Sequence, residues 1–177
     1  MNKNPNLTRT LPALPDLLRR GLVVLAAAVA IVGCTTARAQ MGPLEDLAAF
    51  PRGKLEIADG KKVKHTFQVW LADSPQRQAQ GLMFVRALPA LQGMLFVHES
   101  PKPMSMWMKN TYIPLDMVFI DAHGRIQQII EQTTPHSLDI ISSTEPALAV
   151  LEIGGGEAKR LGLHPGQQVK HPALASH

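Results

Sequence analysis

Between positions 104 and 116 the chain reads Met-Ser-Met-Trp-Met-Lys-Asn-Thr-Tyr-Ile-Pro-Leu-Asp, its longest run of residue types able to bind or react. On an extended strand Met104, Met106 and Met108 would share one face, with Ser105, Trp107 and Lys109 on the other. Three thioethers on one face form a soft donor set of the kind that holds Cu(I). Methionine is also the residue that fills irregular gaps in apolar cores. Met83, Met94 and Met117 stand in apolar surroundings too, so core filling is the reading adopted. Beside the methionines, Lys109, Asn110, Thr111 and Asp116 cluster around a break between apolar segments. They could line a ligand pocket, with Lys109 holding an anion that Asp116 orients. They could equally form an Asx-type turn whose aspartate is satisfied by backbone N–H groups.

Other chemistry-bearing residues give weaker signals. Glu152 lies in Leu151-Glu152-Ile153, where strand alternation turns it away from Leu151 and predicts a surface carboxylate. Were it close to Asp116, the two could act as the paired carboxylates of a hydrolase. Gly154-Gly155-Gly156 ahead of a helix could cradle an anion, but no GK[ST] pattern follows, and a flexible turn suffices. His136-Ser137-x-Asp139 has triad residue types in a polar loop, where adjacency in sequence does not make a triad. The seven histidines show no HxH or HExxH spacing, so no zinc site is signalled. His65 falls on the apolar side of a strand and reads as a hydrogen-bonded structural residue.

The elements that must position these residues belong to a chain of 177 residues, 45% hydrophobic and 18% charged, which fits one folded domain with tails. The formal charge of +4 is unevenly placed. Residues 1–34 hold four of the 18 basic and one of the 14 acidic side chains, leaving the rest nearly neutral. With no basic stripe and no interleaved aromatics, nucleic acid is not expected as a partner. The single cysteine, Cys34, excludes an intrachain disulfide and a four-cysteine zinc site.

Residues 1–34 have the pattern of an export signal. Arg19-Arg20 precede the apolar run Leu22–Val32, and Gly33 and Cys34 follow it. Eleven apolar residues fall short of the roughly 20 that span a bilayer. Ile31-Val32-Gly33-Cys34 is similar to a lipobox, which would make Cys34 a lipidated N-terminus. Its acyl chains would anchor the protein at about 0.8 kcal/mol per buried methylene. Ala37-Arg38-Ala39 offers instead the small-x-small site of an ordinary signal peptidase, giving a soluble periplasmic or secreted product. Residues 35–53 read as a linker, 54–170 as the domain and 171–177 as a disordered tail.

Within the domain the pattern is mainly β. Leu55 and Ile57 lead into an Asp59-Gly60 turn, and Val63–Leu71 alternate as a half-buried strand. Ser74-Pro75 can cap a helix over Gln76–Met83. Further strands are expected over Gly93–Val97, Met104–Met108, Leu115–Ile120, Arg125–Glu131, Ala147–Ile153 and Gln167–Lys170. A polar loop is expected over 132–146, and a second short helix over Glu157–Leu161 that Gly162 ends. Seven or eight short strands with two short helices predict a compact single-domain β-sandwich or barrel.

Gly81-Leu82-Met83-Phe84, Leu88-Pro89, Gly93-Met94-Leu95-Phe96, Trp107-Met108-Lys109-Asn110-Thr111, Pro114-Leu115-Asp116 and Phe119-Ile120-Asp121 together resemble the DUF-192 family (domain of unknown function 192). Val150-Leu151-Glu152, Gly156, Leu161-Gly162 and Gly166 continue the resemblance, which covers about residues 63–170. It implies a small bacterial or archaeal protein, often exported, with a β-rich sandwich and no established activity. The polar positions that recur in the family fall here on Lys109, Asn110, Thr111, Asp116 and Glu152. An arginine usual before the GLM glycine is replaced by Gln78, with Arg77 beside it. Met104 and Met106 stand where other residue types are usual, so a methionine copper site would not be a family trait.

These readings combine into an expectation: an exported, non-enzymatic envelope protein, membrane-anchored through Cys34, that binds an unidentified ligand or partner. Binding would use Trp107, Lys109, Asn110, Thr111, Asp116 and Glu152. The alternatives are a hydrolase using Asp116 and Glu152, and a Cu(I) protein using Met104, Met106 and Met108. No other cofactor is indicated.

Overall fold

Alternation over residues 63–71 becomes one of the two longest strands of a computed structural model that describes residues 42, 43 and 45–175. In chain order the strands are β1 (Arg52–Asp59), β2 (Lys62–Ala72), β3 (Gln92–Lys102), β4 (Ser105–Met106), β5 (Leu115–Ile120), β6 (Ile126–Ile130), β7 (Ile141–Ser142), β8 (Ala147–Gly154) and β9 (Gln168–Lys170). Helix α1 (Pro75–Gln80) follows β2, and α2 (Glu157–Leu161) follows β8. Seven strands form one sheet in the order β6-β5-β8-β3-β2-β1-β9, and β4 pairs with β7 apart from it. Only β2 and β3 run parallel, joined by α1 and the loop after it.

The seven-stranded sheet closes on itself. β9 pairs with β1, and its neighbourhood also bonds the start of β6: Ile126 N–H donates to Gln167 O at 2.9 Å and Val169 N–H to Gly124 O at 2.7 Å. Leu55, Ile57, Phe67, Val69, Leu95, Val118, Leu151 and Val169 fill the interior. A second apolar cluster covers the outer face of β3, β8 and β5: Met94, Phe96, Met117, Phe119 and Val150, roofed by Phe50, Leu82, Met104, Met108 and Leu115. The central strands β5 and β8 are therefore buried on both faces, which their near-continuous apolar composition reflects.

Ser74 caps α1 by accepting from Arg77 N–H, and Pro75 opens it. The helix is shorter than expected, because Gly81 takes φ 52°, ψ −140° and turns the chain away after Gln80. β4 is likewise shorter than the strand expected over Met104–Met108, and the loop expected over 132–146 contains β7, its non-local partner.

Two boundaries differ from expectation. The last part of the predicted linker belongs to the domain: Phe50 is buried, β1 starts at Arg52, and Arg77 binds both carboxylate oxygens of Glu45 at 2.9 and 3.2 Å. The tail is also partly held, because Pro172–Leu174 form a 3₁₀ turn and Leu174 is buried against the inner core. Phe50 joins the outer apolar cluster and Leu174 the inner core. Cys34, Leu22–Val32 and Ala37–Ala39 lie outside the described residues.

Candidate functional site

Three loops meet over the outer core: Gly81–Phe84 after α1, Trp107–Pro114 between β4 and β5, and Gln132–Leu138 between β6 and β7. Backbone bonds lock them together. Phe84 N–H donates to Asn110 O at 2.9 Å, His136 N–H to Thr111 O at 3.2 Å, and Met108 N–H to Ser137 O at 3.1 Å. Each loop bears at least one non-glycine residue in the left-handed region: Phe84, Asn110, Gln132 and His136. Such conformations are costly and persist only where the surroundings hold them. Here a stack does so: Tyr112 sits 6.1 Å from the Phe84 ring and 5.2 Å from His136, with the Arg86 guanidinium 4.7 Å over it.

Under these loops lies a small cavity of about 70 Å³, whose lining includes Gln78, Gly81, Ser105, Trp107, Thr111 and Glu152. Glu152 was expected at the surface and is instead buried, only 4% exposed. Alternation does turn it away from Leu151, but the outer core covers that face of β8. It stands between Met94 of β3 and Met117 of β5, both fully buried. Its Oε2 has no hydrogen-bond partner among the described residues. Burial without a compensating charge pushes its pKa up to about 8, which favours the protonated carboxyl at neutral pH.

Asp116 is placed differently. It is fully buried, and its Oδ1 accepts from Gln132 N–H at 2.8 Å and Gly156 N–H at 2.9 Å, while Oδ2 accepts from Ala158 N–H at 2.8 Å. It thus caps α2, whose own first flanking residue is a glycine with no side chain to do so. Of the two readings of the Lys109–Asp116 turn, backbone satisfaction is the one realised for Asp116. Asp116 pairs with Ile153, an inner-core residue, whereas Glu152 pairs with outer-core Met117. The two carboxylates project from opposite faces of the sheet, so they cannot act as a hydrolytic pair.

The remaining predicted residues divide in the same way. Trp107 is 46% exposed and Thr111 buried, and both line the cavity with Glu152. Lys109 is exposed and holds its ammonium 5.4 Å from the Trp107 ring centroid, a cation–π contact outside the cavity lining. Asn110 supplies the left-handed turn, and its Nδ2 lies 3.9 Å from Met83 Sδ. Met104 and Met108 are buried in the outer core, and the Met108 sulfur accepts from Thr133 Oγ1 at 3.1 Å. Met106 lines the cavity. His65 Nε2 lies 2.9 Å from Leu161 O, the structural role expected of it.

Sequence reasoning missed Gly81, Gln78 and Ser105 as cavity residues. The GLM glycine was the available signal. A Cβ on Gly81 would stand 3.1 Å from Phe96 Cζ, tighter than ordinary contact, and 3.9 Å from Glu152 Oε2, an ordinary contact, so this strained position brings bare backbone up to the cavity wall. A larger open hollow of about 610 Å³ lies at the β1–β9 edge, lined by Lys54, His123, Lys170 and His171 among others. It includes none of the predicted site residues.

The DUF192 family model, described as "Uncharacterized ACR", matches residues 56–171. Among solved structures, a protein from Sinorhizobium meliloti 1021, described as a candidate transcription regulator, is 40% identical with a TM-score of 0.67. That match covers 70% of this chain and 96% of the other. A protein of unknown function from Novosphingobium aromaticivorans DSM 12444 is 34% identical with a TM-score of 0.68, covering 72% and 90%. No curated protein matches.

Proposed function

The chain belongs to the DUF192 family, and we propose that this member is an exported envelope protein that binds a small ligand, or a small group of a larger one, in the Glu152 cavity. One observation carries the reading: a buried carboxyl with an unpartnered oxygen lines a cavity beside a half-exposed tryptophan. A buried polar group without a partner costs stability unless something completes it, and an aromatic at the rim of such a pocket is a favoured binding platform. Binding is preferred to hydrolysis because Asp116 is committed to backbone N–H groups on the opposite face.

Export rests on Leu22–Val32 with its preceding arginines, and anchoring on Cys34, with cleavage after Ala39 as the alternative. Envelope glycans and peptidoglycan fragments are the ligands to try first. A nucleic-acid role is disfavoured, because residues 35–177 hold 14 basic and 13 acidic side chains and so offer little net charge to a phosphate backbone.

Titration of the protein with muropeptides should give saturable binding that Trp107→Ala weakens at least tenfold without loss of fold. Binding unchanged by Trp107→Ala would remove the site. Blocking lipoprotein signal peptidase should leave an unprocessed precursor that Cys34→Ala mimics. Normal processing under that block would leave cleavage after Ala39 as the route.

A further inference from the structure

Resting on that reading, we propose that the cavity accepts a primary ammonium group, the –CH₂–NH₃⁺ head of an amine-bearing ligand. Most of the side-chain polar atoms left free around it accept hydrogen bonds rather than donate them. Gln78 spends its Nε2 on Ala72 O at 3.3 Å and Val97 O at 3.0 Å, which leaves its carbonyl oxygen as the free group. Thr111 Oγ1 donates to Lys109 O at 3.4 Å, so only its lone pairs remain available. Glu152 adds the unpartnered carboxyl oxygen. Trp107 lines the cavity too, and Met83 and Met106 add thioethers. The Ser105 hydroxyl and the Trp107 indole N–H can donate, but among the described residues no lysine, arginine or histidine lines the cavity.

A group with three donors, no acceptor and a positive charge is the complement of such a lining. Size agrees: about 70 Å³ is roughly the room of two waters, enough for a methylene and an ammonium. Charge agrees as well, because among the described residues nothing facing Glu152 can offset an ionised carboxylate. β3 presents Met94 and Phe96, β5 presents Met117, α1 and its turn present Gln78, Gln80 and Gly81, and the β4 side presents Ser105, Met106 and Trp107. None of these titrates. Lys109 lies over the Trp107 ring and Arg77 is engaged by Glu45 and Asp73. The ligand therefore supplies the missing charge. The protonated carboxyl gives its proton to solvent as the ammonium enters, and the bound pair is carboxylate with ammonium.

Titration of the full chain with n-butylammonium, n-butanol and butyrate at pH 7, followed by indole fluorescence and by proton release in unbuffered solution, tests this. Butylammonium should bind at least tenfold more tightly than either isostere and release up to one proton. Glu152→Gln should weaken it at least tenfold and abolish the release. Equal binding of butanol or butyrate overturns the inference, as does full binding by Glu152→Gln. Should that variant fail to fold, comparing muropeptides with their N-acetylated forms on the unaltered protein decides the matter. Equal affinity for the two forms, with Trp107→Ala still weakening both, sinks the ammonium assignment and leaves the site standing. Indifference of both to Trp107→Ala sinks the site itself.

Discussion

Asp116 and Glu152 stand on neighbouring strands one register step apart, Asp116 opposite Ile153 and Glu152 opposite Met117, and project from opposite faces of the sheet. Both are buried acids in one sheet, yet their surroundings give them opposite characters. Asp116 receives three backbone N–H groups at 2.8–2.9 Å. Glu152 leaves an oxygen with none. The first ties loops to a helix, and the second lines a cavity.

Removal of Asp116 should therefore be a folding defect before it is a binding defect. Asp116→Ala would leave the N–H groups of Gln132, Gly156 and Ala158 without their acceptor, the last of them buried. Hydrogen bonds to a charged acceptor are worth about 1.5–3 kcal/mol each, so the loss should exceed about 3 kcal/mol, read from urea denaturation. Asp116→Asn should recover part of it. A loss under about 1 kcal/mol would mean that α2 and the Gln132 loop are held by other contacts.

Glu152 sets a pH dependence of the opposite sense to that of a salt-bridged acid. Unfolded, its carboxyl ionises near the ordinary 4.5; folded, burial raises this to about 8. Between those values the folded state keeps a proton that the unfolded chain has released. Stability therefore falls as pH rises from 4.5 to 8, by up to about 1.4 kcal/mol per pH unit, and levels off above 8. Burial holds His98 and His171 below the ordinary 6.5, which makes stability rise with pH in their own window. The parent must accordingly be compared with Glu152→Gln at each pH. The variant should gain on the parent from pH 5 to about 8 in urea denaturation, with the difference flattening above that. Parallel curves would show that the carboxyl ionises normally in the folded protein.

Much of this was legible where a local rule decides structure. Ser74-Pro75 announced the start of α1, Asp59-Gly60 the first hairpin, and His65 its structural bond. Glu152 was misplaced because alternation fixes a side chain's face but not whether a second layer covers that face. The near-continuous apolar run Ala147–Ile153 was the signal that β8 is buried on both sides, and a carboxylate inside such a run marks an unusual site. The β4–β7 pairing joins residues more than thirty positions apart, and no local pattern announces it. Phe50 and Glu45 looked like linker because single residues, not a periodic stretch, make their contacts.

That last attachment can be tested through Arg77. Its guanidinium bridges Glu45 and Asp73, donates to Ala49 O at 3.3 Å and lies 5.3 Å from the Phe50 ring centroid. Gln80 adds a two-way bond with the Glu45 backbone, at 2.7 Å in each direction. Arg77→Ala should loosen residues 45–50 while leaving the barrel intact, because β1 begins beyond them at Arg52. Amide exchange should accelerate for Ala48–Phe50 with little change across β5 and β8. Uniform acceleration through the sheet would instead make Arg77 part of the global fold.

Gly81 joins backbone strain to the cavity, and its replacement should damage both. At φ 52°, ψ −140° an L-residue is strained, at a cost on the order of 1–3 kcal/mol. The added methyl would also press on Phe96 Cζ at 3.1 Å, tighter than ordinary contact, from a position 3.9 Å from Glu152 Oε2. Phe96 sits on a fully paired stretch of β3, opposite Val150, so its backbone has little freedom to retreat. Gly81→Ala should thus lower the midpoint of thermal unfolding by several degrees and weaken any ligand of the cavity. Gly60→Ala provides the control, because Gly60 has φ 57° but nothing within 4 Å of an added Cβ. It should lower stability and leave binding intact. Equal binding losses in the two variants would show that the Gly81 effect is global destabilisation rather than crowding of the cavity.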